Sequence, residues 1–143
     1  MTESALPRPF RAKGIELSEA ETCEKLMAGF RTVSSILDET YSTLAADPLL
    51  ADLAKLVSRD PQSSGVKLAI LQVLDSRELS ASAEVLQYFA HRFRWSWLQS
   101  EVESRRLESS TRRDQKAARH YERVLEAFAD EWEDRDLFPS LDL

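Results

Sequence analysis

Residues 82–102 read SAEVLQYFAHRFRWSWLQSEV, and the rest of the chain is organised around them. The stretch carries two of the three tryptophans and one of the two histidines. On a helical wheel Val85, Leu86, Phe89 and Phe93 share one face, with Tyr88 at its edge. That spacing is the signature of an amphipathic helix. In an unbroken helix Trp95 and Trp97 would point about 200° apart. Either the helix breaks near 95–96, or it is sandwiched between two layers. A break makes 82–94 and 97–107 a helical hairpin with an Arg-Trp corner at Arg92, Arg94, Trp95 and Trp97. Arginine and tryptophan dominate interface hot spots. The corner is therefore a candidate partner-binding surface, set against an ordinary role in core and rim.

Upstream, Cys23, Leu26, Phe30, Val33, Leu37, Tyr41 and Leu44 recur at spacings of 3, 4, 3, 4, 4 and 3. This predicts one long helix starting near Ser18, where Ser18 and Glu21 have the capping-box spacing. The seam spans fewer than four heptads, which points to antiparallel packing inside the domain; the alternative is a homodimer through residues 23–44. Cys23 on that seam reads as a small buried hydrophobe. Asp47-Pro48 and Asp60-Pro61 are each an Asp cap followed by Pro at the first helical position, and so predict two further helix starts. Residues 1–14, with Pro7, Pro9 and Gly14, read as a flexible basic arm.

The segment LLADLAKLVSRDPQSSGVKLAILQVL resembles one HEAT-type helical repeat. The likeness rests on a leucine-rich first helix, the Asp60-Pro61 turn, and Val66, Lys67 and Ala69 in the second helix. It departs in having Lys67 where arginine is common, and no second clear copy is present. The resemblance implies stacked helical hairpins with a protein-binding face.

Downstream, 104–111 reads as a polar connection, and Thr111 with Asp114 as the next cap. The last helix carries Ala117, Tyr121, Val124 or Leu125, Phe128 and Trp132 on one face. Arg112, Lys116, Arg119 and Arg123 recur at spacings of 4, 3 and 4 and share another. This basic stripe is a second candidate partner-binding site, for phosphate or an acidic partner, against ion pairing with nearby glutamates. An acidic run, DEWEDRD, closes the helix, and the tail at 137–143 is read as docking back on the body.

The chain has 143 residues and a formal net charge of −6, which suits one domain and disfavours general nucleic-acid binding. A single cysteine excludes an internal disulfide and points to a cytoplasmic location. No apolar run is long enough to span a membrane. His91 and His120 fall on different helices with no metal-ligand spacing, and no nucleophile elbow, P-loop or dinucleotide fingerprint is present. No catalytic residue, metal or cofactor is expected.

The fold expected is all-α, a compact helical bundle or a short HEAT-like stack of helical hairpins with five to seven helices. It comprises an arm at 1–14, a single domain at 15–136 and a tail at 137–143. The function expected is a non-catalytic protein-interaction module. In its concrete form this is an acidic immunity or adaptor protein that binds and blocks a basic partner such as a nuclease. The alternatives are a nucleic-acid-associated regulator using the Arg112 to Arg123 face, and an enzyme of unrecognised type.

Overall fold

Side-chain spacing along the first helix decides how the molecule assembles. A computed structural model describes residues 7–76 and 79–142, with side chains from Glu19 onward. Among these residues are six helices, α1 (Pro7–Thr40), α2 (Thr43–Ser58), α3 (Ser64–Asp75), α4 (Ser82–Phe93), α5 (Ser96–Thr111) and α6 (Gln115–Glu126). Two 3-10 turns, Glu133–Leu137 and Pro139–Asp142, follow them, and none of the described residues forms a strand. The fold is an all-α bundle.

The seam predicted on α1 is buried from Cys23 through Leu26, Phe30 and Val33. Its occupants come from the same chain, because α1 packs chiefly against α3 and α2. The part from Cys23 to Val33 of the apolar face at 23–44 proposed for a homodimer is therefore already covered. It also ends earlier than the pattern suggested. Tyr41 adopts a left-handed φ of 56° that stops α1, and its ring is 90 % exposed. Leu44 belongs to α2 and is exposed. At the other end, α1 begins at Pro7, inside the stretch read as an arm and well before Ser18. Residues 1–6 and the side chain of Ser18 lie outside the described residues.

Neither Asp-Pro pair starts a helix. Ser42 caps α2 by accepting from the amide of Ala45 at 3.3 Å, which leaves Pro48 inside the helix. The carbonyl that Pro48 deprives of a donor belongs to exposed Leu44, within reach of water. Asp47 turns inward instead, and is 6 % exposed. Asp60-Pro61 forms a turn in which Ser63 donates its amide to the Asp60 carbonyl at 3.1 Å. Ser63 then caps α3, its Oγ accepting from the Val66 amide at 3.2 Å. Glu19 on α1 adds a second cap, accepting from the Ser64 amide at 3.0 Å and the Ser64 hydroxyl at 2.6 Å. Those bonds hold the Glu19 carboxyl below its ordinary pKa. They are possible because α3 comes so close that a Cβ on Gly65 would collide with the Glu19 backbone carbonyl. α2 and α3 each pack chiefly on α1 rather than facing one another as a HEAT hairpin would.

α4 is the central helix. Val85, Leu86, Tyr88, Phe89 and Ala90 are all buried, so its apolar surface extends well round the helix beyond one face. Even Gln87 is only 2 % exposed, and its Nε2 donates to the Arg123 carbonyl at 3.0 Å. The chain does break at the tryptophans. Arg94 takes a left-handed φ of 53° and α5 restarts at Ser96. The two pieces do not form a hairpin, because α6 packs against both α4 and α5.

The polar segment 104–111 is the second half of α5, held by Glu101–Arg105, Glu103–Arg106 and Glu108–Arg112 pairs one turn apart. Asp114, not Thr111, caps α6, accepting from the Ala117 amide at 3.1 Å. α6 stops at Glu126, so Phe128 and Trp132 lie beyond it. The tail docks on the body, and Phe138 is 1 % exposed. Ser140 donates its amide and its hydroxyl to the two oxygens of Asp47, at 3.1 and 2.8 Å. The Tyr88 hydroxyl meets the same Ser140 Oγ at 2.8 Å. Asp47 thus ties the C-terminal turn to α2.

Candidate partner-binding surfaces

The break at Arg94 changes what the Arg-Trp corner is. It brings together rings that a continuous helix would have sent apart. Phe89, Phe93, Trp95 and Trp97 stack in series with centroids 5.9, 4.9 and 5.5 Å apart. Trp95 is 3 % exposed and belongs to the interior. Trp97, half-buried, ends the series, and the Lys67 ammonium lies 5.3 Å from its ring centre. Arg94 is tied down by an ion pair to Asp130 at 2.6 Å and a bond to the Phe128 carbonyl at 3.2 Å. That pairing holds the Asp130 carboxyl below its ordinary pKa. Arg92 is exposed, with its guanidinium 4.9 Å from the Phe93 ring centre. Two of the four corner residues, Arg94 and Trp95, are thus committed to the chain itself. Arg92 and Trp97 remain at the surface.

The basic stripe divides in a similar way. Arg112 pairs with Glu108 at 3.1 Å and Arg123 with Glu84 at 3.6 Å. Lys116 and Arg119 are exposed on α6 and make no ion pair among the described residues. Arg105 is held by Asp75 and Glu101, and Arg106 by Glu103.

The histidines lie apart from one another in their chemistry. His91 Nδ1 is 2.8 Å from the Ala127 carbonyl, and its ring sits 5.3 Å from Trp132. His120 is half-buried and touches Tyr121 edge-on at 5.2 Å. Burial, and then the nearby Arg123 charge, lower its pKa, against a smaller opposing pull from Glu84. Among the described residues no three His, Cys, Asp or Glu side chains converge as metal ligands. The buried Cys23 thiol is pushed up in pKa by burial and then by Glu24, which favours its protonated form.

Two surface features escape a reading by spacing. The first is the acidic run. Glu126, Glu131, Glu133, Asp134 and Asp136 are all exposed and none makes an ion pair among the described residues. The first four, with Ala129 and Trp132, line a shallow depression of about 360 Å³. Read as sequence, the run is only a solvated face; its wrapping around Trp132 depends on α6 ending at Glu126. The second is a cleft of about 520 Å³ between the end of α3, the start of α4 and α6, where Ser82, Lys116 and His120 meet. No sequence signal joins these three, because their elements are distant along the chain.

No family model, no curated protein and no solved structure matches the chain. Among the described residues no helix is long and apolar enough to cross a membrane.

Proposed function

We propose that the chain is a non-catalytic protein-interaction module, an acidic adaptor or immunity-type protein of the cytoplasm that engages a basic protein partner. One observation carries this reading. Four exposed carboxylates, Glu126, Glu131, Glu133 and Asp134, line the Trp132 depression with Asp136 close by in sequence, and none of the five has an ion pair among the described residues of a chain of net charge −6. Unpaired carboxylates on one face raise the local potential, steer a cationic partner and make its association salt-sensitive. The tethers above favour a pre-formed surface, because the Arg94–Asp130 pair and the Asp47–Ser140 bonds fix both ends of the segment.

The test uses an arginine-rich peptide as probe, at low and at physiological salt. The triple variant Glu131→Gln, Glu133→Gln, Asp134→Asn should lose most of the binding. A control that neutralises exposed Glu21, Glu24 and Asp52 on α1 and α2 should keep most of it. Equal loss in both would reduce the effect to net charge and end the proposal.

The nucleic-acid reading rests on Lys116 and Arg119, the two stripe residues without an ion pair among the described residues. Two phosphate contacts would give a shallow salt dependence, with a slope of only about −2 in log-log form. The carboxylate face is the stronger basis for a partner.

A further inference from the structure

We propose that the cleft between the end of α3, the start of α4 and α6 binds a small oxyanion, a carboxylate or phosphate group, through the Ser82 hydroxyl, the first-turn amides of α4 and the Lys116 ammonium. This site is separate from the acidic C-terminal face.

Ser82 makes the first part of the argument. It is 8 % exposed and lines the cleft, and its hydroxyl makes no hydrogen bond to another described residue. Among the described residues only the indole nitrogens of Trp95 and Trp132 are sealed away without a partner. The Ser82 hydroxyl is therefore open to the cleft rather than closed in the core.

The start of α4 makes the second part. Its N-cap, Ala81, has no side chain that could accept a hydrogen bond. The Ala81 amide is taken by Ser34 Oγ at 3.2 Å and the Ser82 amide by the Leu79 carbonyl at 3.3 Å. The next two amides, of Ala83 and Glu84, are taken by no side chain. α2, α3 and α6 each have a capping side chain, from Ser42, Ser63 and Asp114. Uncapped amides at a helix start, together with the helix dipole, favour an anion.

The charges around the cleft make the third part. Lys116 lines it and makes no ion pair among the described residues. Two carboxylates line it too, and both already have partners. Asp75 receives two bonds from Arg105, at 2.8 and 3.2 Å, and Asp114 accepts from the Ala117 amide at 3.1 Å. Glu84, in the first turn of α4, pairs with Arg123. His120 and Tyr121 add side chains able to donate to an oxyanion, and Leu74 and Leu79 give the cleft an apolar wall. A volume of about 520 Å³ suits a small ligand.

The experiment is an amide chemical-shift titration of the full chain with sodium phosphate, and separately with sodium acetate, against sodium chloride at matched ionic strength. The expected result is a saturable shift at Ala83, Glu84 and Lys116 with at least one of the two oxyanions and none with chloride. Saturation by phosphate alone assigns the ligand to the phosphate class; saturation by acetate assigns it to the carboxylates. Ser82→Ala and Lys116→Gln should each weaken binding roughly tenfold, the effect of losing one hydrogen bond to a charged group. Lys116 is exposed, so that variant keeps the test valid even if Ser82→Ala perturbs packing. Shifts that never saturate, or unchanged affinity in the Lys116→Gln protein, would mean an adventitious ion only and overturn the proposal.

Discussion

The two halves of the molecule bury apolar surface by different means. In the first half, α1, α2 and α3 meet through aliphatic side chains such as Leu26, Leu50, Val57, Ile70 and Val73, all on helices and all at 3/4 spacing. In the second half the core is aromatic, and several of its members sit off the helices. Trp95 occupies the break after α4, Trp132 the segment after α6, and Phe138 the junction of the two terminal turns. Trp132 stacks on Phe138 at 5.7 Å, and Phe138 meets Tyr88 edge-on at 5.7 Å. A helix can present a stripe only to its neighbours. Rings carried by breaks and turns reach places that no stripe faces, and they can tie the chain's last residues to its centre.

If that contrast is right, the largest single loss should come from the ring that joins the two halves. Phe89 is fully buried and meets Phe30 on α1 at 5.7 Å, Tyr88 at 5.4 Å and Phe93 at 5.9 Å. Phe89→Ala should lower stability by about 3–5 kcal/mol in urea unfolding, while Val33→Ala on the aliphatic seam costs less than half as much. Equal losses would mean that the aromatic layer has no special place in the core.

The next effect probes the aliphatic half at its tightest point. Gly65→Ala places a methyl group against the Glu19 backbone, which cannot rotate away as a side chain could. The gain in helix propensity, about 1 kcal/mol, works in the other direction. The clash should win, for a net loss of about 1–3 kcal/mol, and should weaken the Glu19–Ser64 bonds. A neutral or stabilised Gly65→Ala protein would show that α1 and α3 have room to separate.

These details also mark the limit of reading the sequence. The all-α class, the seam from Cys23 to Val33, the burial of α4 and the break beside Trp95 follow from spacing, because a helix converts period directly into a face. The helix starts at Asp47 and Asp60 failed for a local reason. Asp-Pro suits a cap, but Ser42 and Ser63 occupy the capping positions, and Asp47 is more valuable as the acceptor for Ser140. That bond joins residues far apart in the chain, so no window contains it. The candidate sites show the same limit. Arg112 to Arg123 do share a face, but whether each is paired depends on Glu108 one turn away and on Glu84 from another helix. Spacing predicts the first partner and is blind to the second.

The tail tether supplies a mid-sized test of the aromatic half. Asp47→Ala leaves the Ser140 amide and hydroxyl without their acceptor. Stability should fall by about 1–3 kcal/mol. Amide exchange should speed up at 138–142 more than in α1, since the loss frees the terminal turn first. Uniform acceleration through the whole chain would contradict a local role. At the opposite corner the sign reverses. Tyr41 is held at φ 56° with its ring 90 % exposed, so Tyr41→Gly should raise stability by about 1 kcal/mol. A loss on that substitution would reveal a contribution from the Tyr41 ring.

The smallest expected effect is a pH dependence, and it belongs to the cleft where α3, α4 and α6 meet. Burial and then Arg123 depress the folded-state pKa of His120 below its ordinary value near 6.5, and Glu84 only partly opposes them. The unfolded chain therefore takes up a proton at higher pH than the folded chain does. Its contribution to stability is complete above pH ~6.5 and is lost progressively as the pH falls toward the folded pKa. Lys116 and Arg123 disfavour a cation there, while Asp75, Asp114 and Glu84 are engaged by Arg105, the Ala117 amide and Arg123. His120→Gln removes the titrating group and should flatten this part of the profile between pH 7 and the folded pKa. A stability difference between the two proteins that stays constant over that range would show that His120 is not desolvated in solution, and that the cleft is more open than its lining indicates.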